Sequence, residues 1–153
     1  GISCGLDANT RVAFMGEVAV DKKSGKVQLK RIVCAQDMGL CVNPQGATIQ
    51  MEGAMTMGLG YALTEQFIMD EGKTLNTSFL DYKMAHAMDM PESEHVCVPS
   101  YEPEGPHGAK EAGEGLVIPT APAIGEAVYH ATGYRCKDLP ITPEKILKAM
   151  EKL

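Results

Sequence analysis

The feature that most constrains this chain is a long segment with glycine at a regular spacing. The segment starts at Asn43-Pro44, a pair typical of a helix start, because asparagine caps free N–H groups and proline fits the first helical position. Glycines then recur every seven residues, at Gly46, Gly53 and Gly60, which keeps them near one face of a helix. The sequence therefore predicts a long glycine-striped helix over residues 43–64.

The glycine stripe needs a physical reason, because glycine weakens a helix. Each interior glycine costs about 1 kcal/mol relative to alanine, so the four glycines of this segment, Gly58 included, give up about 4 kcal/mol of helix propensity. Small residues along one face allow another backbone or a flat ligand to come close. Two interpretations stay open here: tight packing within the protein, or a cofactor that lies along the stripe.

Two runs before this helix show the alternation of half-buried strands. Residues 11–21 alternate apolar with small or polar side chains, residues 21–25 have turn composition, and residues 26–35 resume the alternation. The phase of the second run shifts near Arg31-Ile32, which indicates a bulge. We expect an antiparallel strand hairpin.

The remaining elements are shorter. The pattern predicts strands at residues 66–69 and 78–84 around a Glu71-Gly72-Lys73 turn, another strand at 95–98, and helices over 121–132 and after Thr142-Pro143. Residues 101–115 hold too many glycines and prolines for regular structure and are expected to form an extended loop. The fold class is predicted to be α+β, with the hairpin, the short strands, the striped helix and two C-terminal helices.

Length and charge narrow the class of protein. The 153 residues fit a single domain, 1–153, and a net charge of −6 without basic runs argues against nucleic-acid binding. No apolar run is long enough to cross a membrane. The five scattered cysteines signal neither a zinc site nor a disulfide framework, which favours reduced thiols and a cytoplasmic location. The first residue is not methionine, so we expect a longer parent protein.

The loop over residues 105–115 carries the main candidate for catalysis. Glu114 lies between two glycines, which leave its carboxylate accessible, and a carboxylate at the mouth of a pocket can act as a general base. Lys110 could favour the ionised form of Glu114 or order the loop, although a solvated surface lysine is the simpler interpretation. The four histidines are not spaced as metal ligands, and no metal-ligating residue is predicted.

Four groups of motifs, taken in order and spacing, point to a known family. They are Asp37-Met38-Gly39 with Val42-Asn43-Pro44, Gln50-Met51-Glu52-Gly53-Ala54 with Gly58-Leu59-Gly60, Leu80-Asp81-Tyr82-Lys83, and Gly108-Ala109-Lys110-Glu111-Ala112-Gly113-Glu114. Together they resemble the C-terminal part of the molybdenum-binding subunit of the xanthine dehydrogenase/aldehyde oxidase family. The resemblance covers nearly the whole chain and implies a subdomain of a molybdopterin-binding domain within a larger subunit.

The resemblance also implies roles for particular residues. Glu114 corresponds to the catalytic glutamate of the family, and Gln50 to a glutamine that hydrogen-bonds the pterin, with Gly53, Lys110 and Gly113 as further cofactor-binding residues. The implied reaction oxidises an aldehyde or an N-heterocycle, with water as the oxygen source and Glu114 as general base. The implied cofactor is molybdopterin, in plain or cytosine dinucleotide form.

The implied partners are the remainder of the subunit and the domains or subunits that carry iron–sulfur clusters and FAD. Two alternatives stay open: a cofactor-free family fragment that acts as a binding or assembly module, and an unrelated acidic α+β domain whose glycine-rich loop binds a protein. A part of a larger subunit should expose apolar surface where the rest docks, and could self-associate in isolation.

Overall fold

The structure is a computed structural model that describes residues 1–151. Its main sheet has the strand order β1-β2-β3-β6, formed by Ile2–Asp7, Thr10–Val20, Val27–Asp37 and Ser93–Cys97. Neighbouring strands are antiparallel except β3 and β6, which are parallel. A separate ribbon pairs β4 (Met69–Asp70) with β5 (Lys73–Thr74). The three helices are α1 (Pro44–Leu63), α2 (Val117–Thr132) and α3 (Pro143–Met150). This is the predicted α+β architecture.

Strands β2 and β3 form the expected hairpin. Their register shifts opposite Glu17/Val18, where Lys30 is the extra residue between the paired positions Leu29 and Arg31. Because of this bulge, Leu29 and Ile32 are both buried although they lie three residues apart. The phase shift in the sequence is thereby explained, and the predicted bulge is confirmed within about one residue.

The core lies between the main sheet and the helices. Helix α2 packs against β1, β2 and α1. Helix α1 contributes one buried stripe at helical spacing, made of Ala47, Met51, Ala54, Met55, Leu59 and Ala62. Helix α3 adds Ile146, and the largest buried side chain of the sheet is Phe14. This core fixes α1 relative to the sheet.

The ends and glycines of α1 follow the sequence closely. The Asn43 side chain accepts a hydrogen bond from the Gly46 N–H at 3.0 Å, as expected for an N-cap. Gly58 packs on α2, since a Cβ there would lie 2.5 Å from the Cβ of Thr120. A Cβ on Gly53 would meet nothing within 4 Å. Internal packing thus explains Gly58, while the face at Gly53 is open to an external partner.

Helix α2 starts earlier than predicted, at Val117 instead of residue 121. N–H groups in the first turn of a helix have no partner within the helix, so Pro119, which lacks an N–H, fits there. Pro122 lies farther inside the helix and removes one hydrogen bond. The predicted glycine cap is present, because Gly133 adopts a φ of 76°. The Thr142 side chain caps α3 as predicted.

Two strand predictions need correction, and strands β1 and β5 were not predicted. The strand predicted at 66–69 falls at Met69–Asp70, where it pairs with β5. The predicted turn Glu71-Gly72-Lys73 is confirmed only at Glu71-Gly72, because Lys73 belongs to β5. The strand predicted at 78–84 is wrong. There the Ser78 carbonyl accepts hydrogen bonds from the N–H groups of Asp81 and Tyr82, so local turns replace extended backbone. The strand predicted at 95–98 is found as β6.

The segment over residues 64–92 exposes large apolar side chains, as expected for part of a larger subunit. Phe79 and Leu80 are each 80% exposed, and Met88 is 95% exposed. Among the helices of residues 1–151, none has the length and apolar character needed to cross a membrane.

Candidate functional site

The loop over residues 98–116 is attached to the chain just after β3 by backbone hydrogen bonds. Leu40 N–H donates to the Gly108 carbonyl and Lys110 N–H donates to the Met38 carbonyl, each at 2.8 Å. Gly39 pairs with Ala109 between them. Gly39 has a φ of +70°, and a Cβ there would lie 2.1 Å from the Gly108 oxygen, so only glycine fits.

The side chain of Lys110 holds this attachment from inside. Its Nζ lies 2.9 Å from Asp37 Oδ2 and donates to the Asn9 carbonyl at 3.1 Å, and the side chain is only 5% exposed. The simpler sequence interpretation, a solvated lysine, is therefore wrong. An ammonium group can be buried here because a carboxylate and a carbonyl partner it.

Asp37 is the acidic centre of this attachment. Two hydrogen bonds lower the pKa of Asp37 to about 2, and the one from the Ser100 hydroxyl has a larger effect than the one from Lys110. The Gly39 N–H also donates to Asp37, at 3.4 Å. The carboxylate therefore stays ionised at neutral pH and ties three parts of the chain together.

Glu114 lies at the end of the 98–116 loop, directly before α2. Its N–H donates to Glu111 Oε1 at 2.9 Å, and its carbonyl accepts from the Val117 N–H at 2.9 Å. The residue itself is exposed. Its backbone is thus held on both sides while its side chain is accessible to solvent.

A cleft of about 350 Å³ lies between the N-terminal half of α1 and the 98–116 loop. We call it the α1 cleft. Its walls are formed by Met38, Leu40, Cys41, Val42, Asn43, Gly46, Ala47, Gln50, Ala109, Lys110, Ala112 and Gly113.

The α1 cleft brings together three of the residues singled out by sequence. Gln50 from α1 lies across from Lys110 and Gly113 of the loop. Gly53 is exposed about one helical turn beyond Gln50, and Glu114 directly follows Gly113. Neither Gly53 nor Glu114 lines the α1 cleft itself.

The α1 cleft is lined mainly by apolar side chains with a few polar groups, which suits a flat ligand with polar edges. The Gln50 amide is exposed and offers both a donor and an acceptor. The absence of a side chain at Gly53 and Gly113 lets a ring system approach the backbone. Within residues 1–151, no group of three or more His, Cys, Asp or Glu side chains could hold a metal ion.

An α+β domain with a glycine-striped helix beside a largely apolar cleft that holds a few polar groups fits the class of cofactor-binding domains. Residues 8–91 match the family model of the molybdopterin cofactor-binding domain. The chain belongs to this family, whose relatives described below are molybdenum-binding subunits of xanthine dehydrogenase and aldehyde oxidoreductase. The resemblance stated from the sequence motifs is confirmed.

Two curated relatives come from Escherichia coli (strain K12). A putative xanthine dehydrogenase molybdenum-binding subunit is 40% identical over 132 residues, which cover 85% of this chain and 18% of the relative. An aldehyde oxidoreductase molybdenum-binding subunit is 37% identical over 134 residues, which cover 86% of this chain and 18% of the relative. The chain thus spans about a fifth of the length of these relatives.

Solved structures agree on the fold. The aldehyde oxidoreductase from Desulfovibrio desulfuricans ATCC 27774 superposes with a TM-score of 0.83 at 34% identity, over 92% of this chain and 15% of that one. The aldehyde oxidoreductase from Desulfovibrio gigas gives a TM-score of 0.85 at 29% identity, over 93% and 15%. The predicted α+β fold is therefore that of a part of such enzymes.

The sequence alone did not assign a role to two residues of the site. Asp37 was noted only as part of a motif, and nothing in the sequence signals that it pairs with Lys110, 73 positions away. Glu111 likewise stands out in the sequence only as a member of the motif over residues 108–114. A weak signal existed for Glu111, since an acceptor side chain placed two and three residues before free N–H groups is the spacing of a capping residue.

Proposed function

We propose that this chain is the cofactor-binding part of a molybdenum hydroxylase that oxidises an aldehyde or an N-heterocycle, with water as the oxygen source. The observation that most supports this proposal is the α1 cleft, because Gln50, Lys110 and Gly113 all line it. These are three of the cofactor-binding residues that the family resemblance implies. The full reaction belongs to the whole subunit, of which this chain is about a fifth if its length matches its relatives.

The residues of the α1 cleft fit a pterin. The ring edge of a pterin carries donors and acceptors, which the Gln50 amide and the carbonyl of Gly113 can match, since the Gly113 N–H already donates to Glu111. The open face at Gly53 leaves room for the flat ring system or its side arm. Lys110 is not proposed as a direct ligand. Its ammonium is paired with Asp37, and this ion pair holds the loop wall of the cleft in place.

Glu114 is the proposed general base. The residue is exposed and directly follows Gly113 of the cleft wall, and its carboxylate would take a proton from an oxygen at the mouth of the cleft. When bound, the molybdenum cofactor supplies the redox step. The chain supplies orientation of the pterin through Gln50 and one site for the proton, at Glu114.

The proposal includes partners. The remainder of the molybdenum-binding subunit would complete the substrate pocket, and iron–sulfur and flavin subunits would take the electrons, since relatives of this chain are described as subunits. The cofactor would be molybdopterin or its cytosine dinucleotide form. Five free thiols fit a cytoplasmic location.

The test is cofactor content in the assembled enzyme. The complete subunit that contains this chain is co-expressed with its electron-transfer subunits, and molybdenum, pterin fluorescence and dye reduction by an aldehyde and an N-heterocycle are measured. Stoichiometric molybdenum with substrate-dependent dye reduction is expected. A well-formed complex without molybdenum or pterin, from a host that makes the cofactor, would favour the alternative of a cofactor-free assembly module.

A matched pair of variants checks the cleft. Gln50→Leu removes the proposed pterin contact, and we expect cofactor affinity to fall by about 1 kcal/mol, roughly fivefold. Gln45→Leu makes the same change on an exposed residue of α1 outside the cleft and should bind as the parent does. Equal cofactor affinity in the two variants would show that Gln50 does not contact the cofactor.

A further inference from the structure

The Glu111 carboxylate occupies an unusual place for a charged group. It folds back under the turn that leads to Glu114, and Oε1 accepts hydrogen bonds from two consecutive N–H groups, those of Gly113 and Glu114. The other oxygen, Oε2, is buried and has no hydrogen-bond partner among residues 1–151. A buried carboxylate oxygen without a partner is costly, so the contacts at Oε1 have to offset that cost.

The two glycines beside Glu114 make room for this carboxylate. A Cβ on Gly113 would lie 3.2 Å from Glu111 Oε1, and a Cβ on Gly115 would lie 3.2 Å from Glu111 Oε2. Both distances are tighter than ordinary contacts. The sequence Gly113-Glu114-Gly115 therefore gives access to Glu114 from outside and also gives space to Glu111 from inside.

The backbone of Glu111 is anchored as well. Its carbonyl accepts a hydrogen bond at 2.8 Å from the hydroxyl of Thr10, which is fully buried at the start of β2. The neighbouring Lys110 is fixed by Asp37. Glu111 thus links a rigid part of the sheet to the N–H of Glu114.

We propose that Glu111 is a positioning residue for Glu114. It holds the backbone of the 111–114 turn through Oε1, so that the proposed base is presented at one place and not over a range of positions. This inference rests on the proposed role of Glu114 as the base. Displacement of a reacting group by about 1 Å can reduce turnover about 100-fold, so the position of this turn matters for rate.

The test uses the complete enzyme complex and three variants. Glu111→Ala removes the acceptor, Glu111→Gln keeps one amide oxygen in its place, and Glu104→Ala removes an exposed carboxylate from the same loop as a control. We expect Glu111→Ala to lower kcat about 10- to 100-fold with KM and molybdenum content nearly unchanged. Glu111→Gln should recover most of kcat, and Glu104→Ala should match the parent.

Amide hydrogen exchange gives a readout that does not depend on turnover. Glu111→Ala should speed exchange at residues 112–115 only, and Glu111→Gln should restore protection. Unchanged exchange in Glu111→Ala, a kcat equal to that of the parent, or an equal loss in Glu111→Gln would overturn the positioning role. If Glu114→Gln keeps full turnover while Glu111→Ala still loosens residues 112–115, the proposed base fails but the hold on the turn stands.

Discussion

Two segments that lie outside the main sheet and the three helices differ sharply in this protein. The 98–116 loop is attached to residues 38–40 through paired backbone, and its charged side chains Lys110 and Glu111 turn inward. The 64–92 segment instead turns apolar side chains outward, with Phe79 and Leu80 each 80% exposed. One segment is therefore ordered by internal polar contacts, while the other exposes apolar surface, which we propose as a contact for the rest of the subunit.

The largest expected effect concerns the proposed base at the end of the ordered loop. Glu114→Gln keeps size and removes basicity, so kcat of the assembled enzyme should fall about 100- to 10,000-fold with the cofactor still bound. Glu71→Gln, at the exposed turn of the 64–92 segment, should have no effect. Steady-state kinetics with molybdenum quantification measures both. Comparable activities would mean that the ordered loop does not carry the base.

The second prediction compares two glycines with similar backbone angles. Gly39→Ala should lower the free energy of unfolding by about 3 kcal/mol, because the new Cβ meets the Gly108 oxygen in addition to the strained φ. Gly72→Ala in the 64–92 segment has a φ of +78° but open space, and should cost only about 1 kcal/mol. Urea denaturation of both chains checks the difference, and equal costs would contradict the tight pairing at Gly39.

The third prediction concerns pH. The lowered pKa of Asp37 means that its contribution to stability is complete above about pH 4 and is lost as pH falls toward about 2. Asp37→Asn should therefore lower the free energy of unfolding by about 2 kcal/mol at neutral pH, and the difference from the parent should shrink below about pH 4.

The control for this pH effect lies in the other segment. Asp89→Asn removes a carboxylate whose pKa is lowered mainly by the His86 backbone N–H, and this group is half exposed. Its effect at neutral pH should stay within about 0.5 kcal/mol. Denaturant midpoints measured from neutral pH to the lowest pH at which the chains remain folded would give the stability difference between each variant and the parent. A constant difference for Asp37→Asn across that range would exclude its ion pair with Lys110 as the cause.

The smallest effect on stability is expected at the apolar surface. Phe79→Ser combined with Leu80→Ser should change the free energy of unfolding by less than about 0.5 kcal/mol, because both side chains are already exposed. The same change should reduce self-association of the isolated chain, measured by sedimentation velocity over a range of concentrations. Unaltered self-association would show that this surface is not the contact.

Local patterns in the sequence predict most of the regular elements. The Asn43 cap, the hairpin with its phase shift and the Thr142 cap are each encoded within a few residues, and the structure confirms them. Strand β1 has the reverse pattern, since Ile2 and Leu6 are exposed while Ser3 and Gly5 between them are the half-buried residues. An alternation with apolar residues outside carries no usable signal for a buried face.

The candidate site is predictable only in part. Motifs single out Gln50, Lys110 and Gly113, and the structure gathers them in the α1 cleft. The attachment that brings them together consists of backbone hydrogen bonds, for example from Leu40 to Gly108, and backbone groups are the same at every position. A single sequence has no local pattern that reports such pairing between distant segments.

The distance along the chain between the parts of the site has a consequence for biosynthesis. The hydrogen bonds from Thr10 to Glu111 and from Lys110 to Asn9 each join residues 101 positions apart. A nascent chain can form the β2–β3 hairpin and α1 long before Lys110 leaves the ribosome, but it cannot close the α1 cleft. The cofactor insertion that we propose for this cleft therefore has to follow translation of the 98–116 loop.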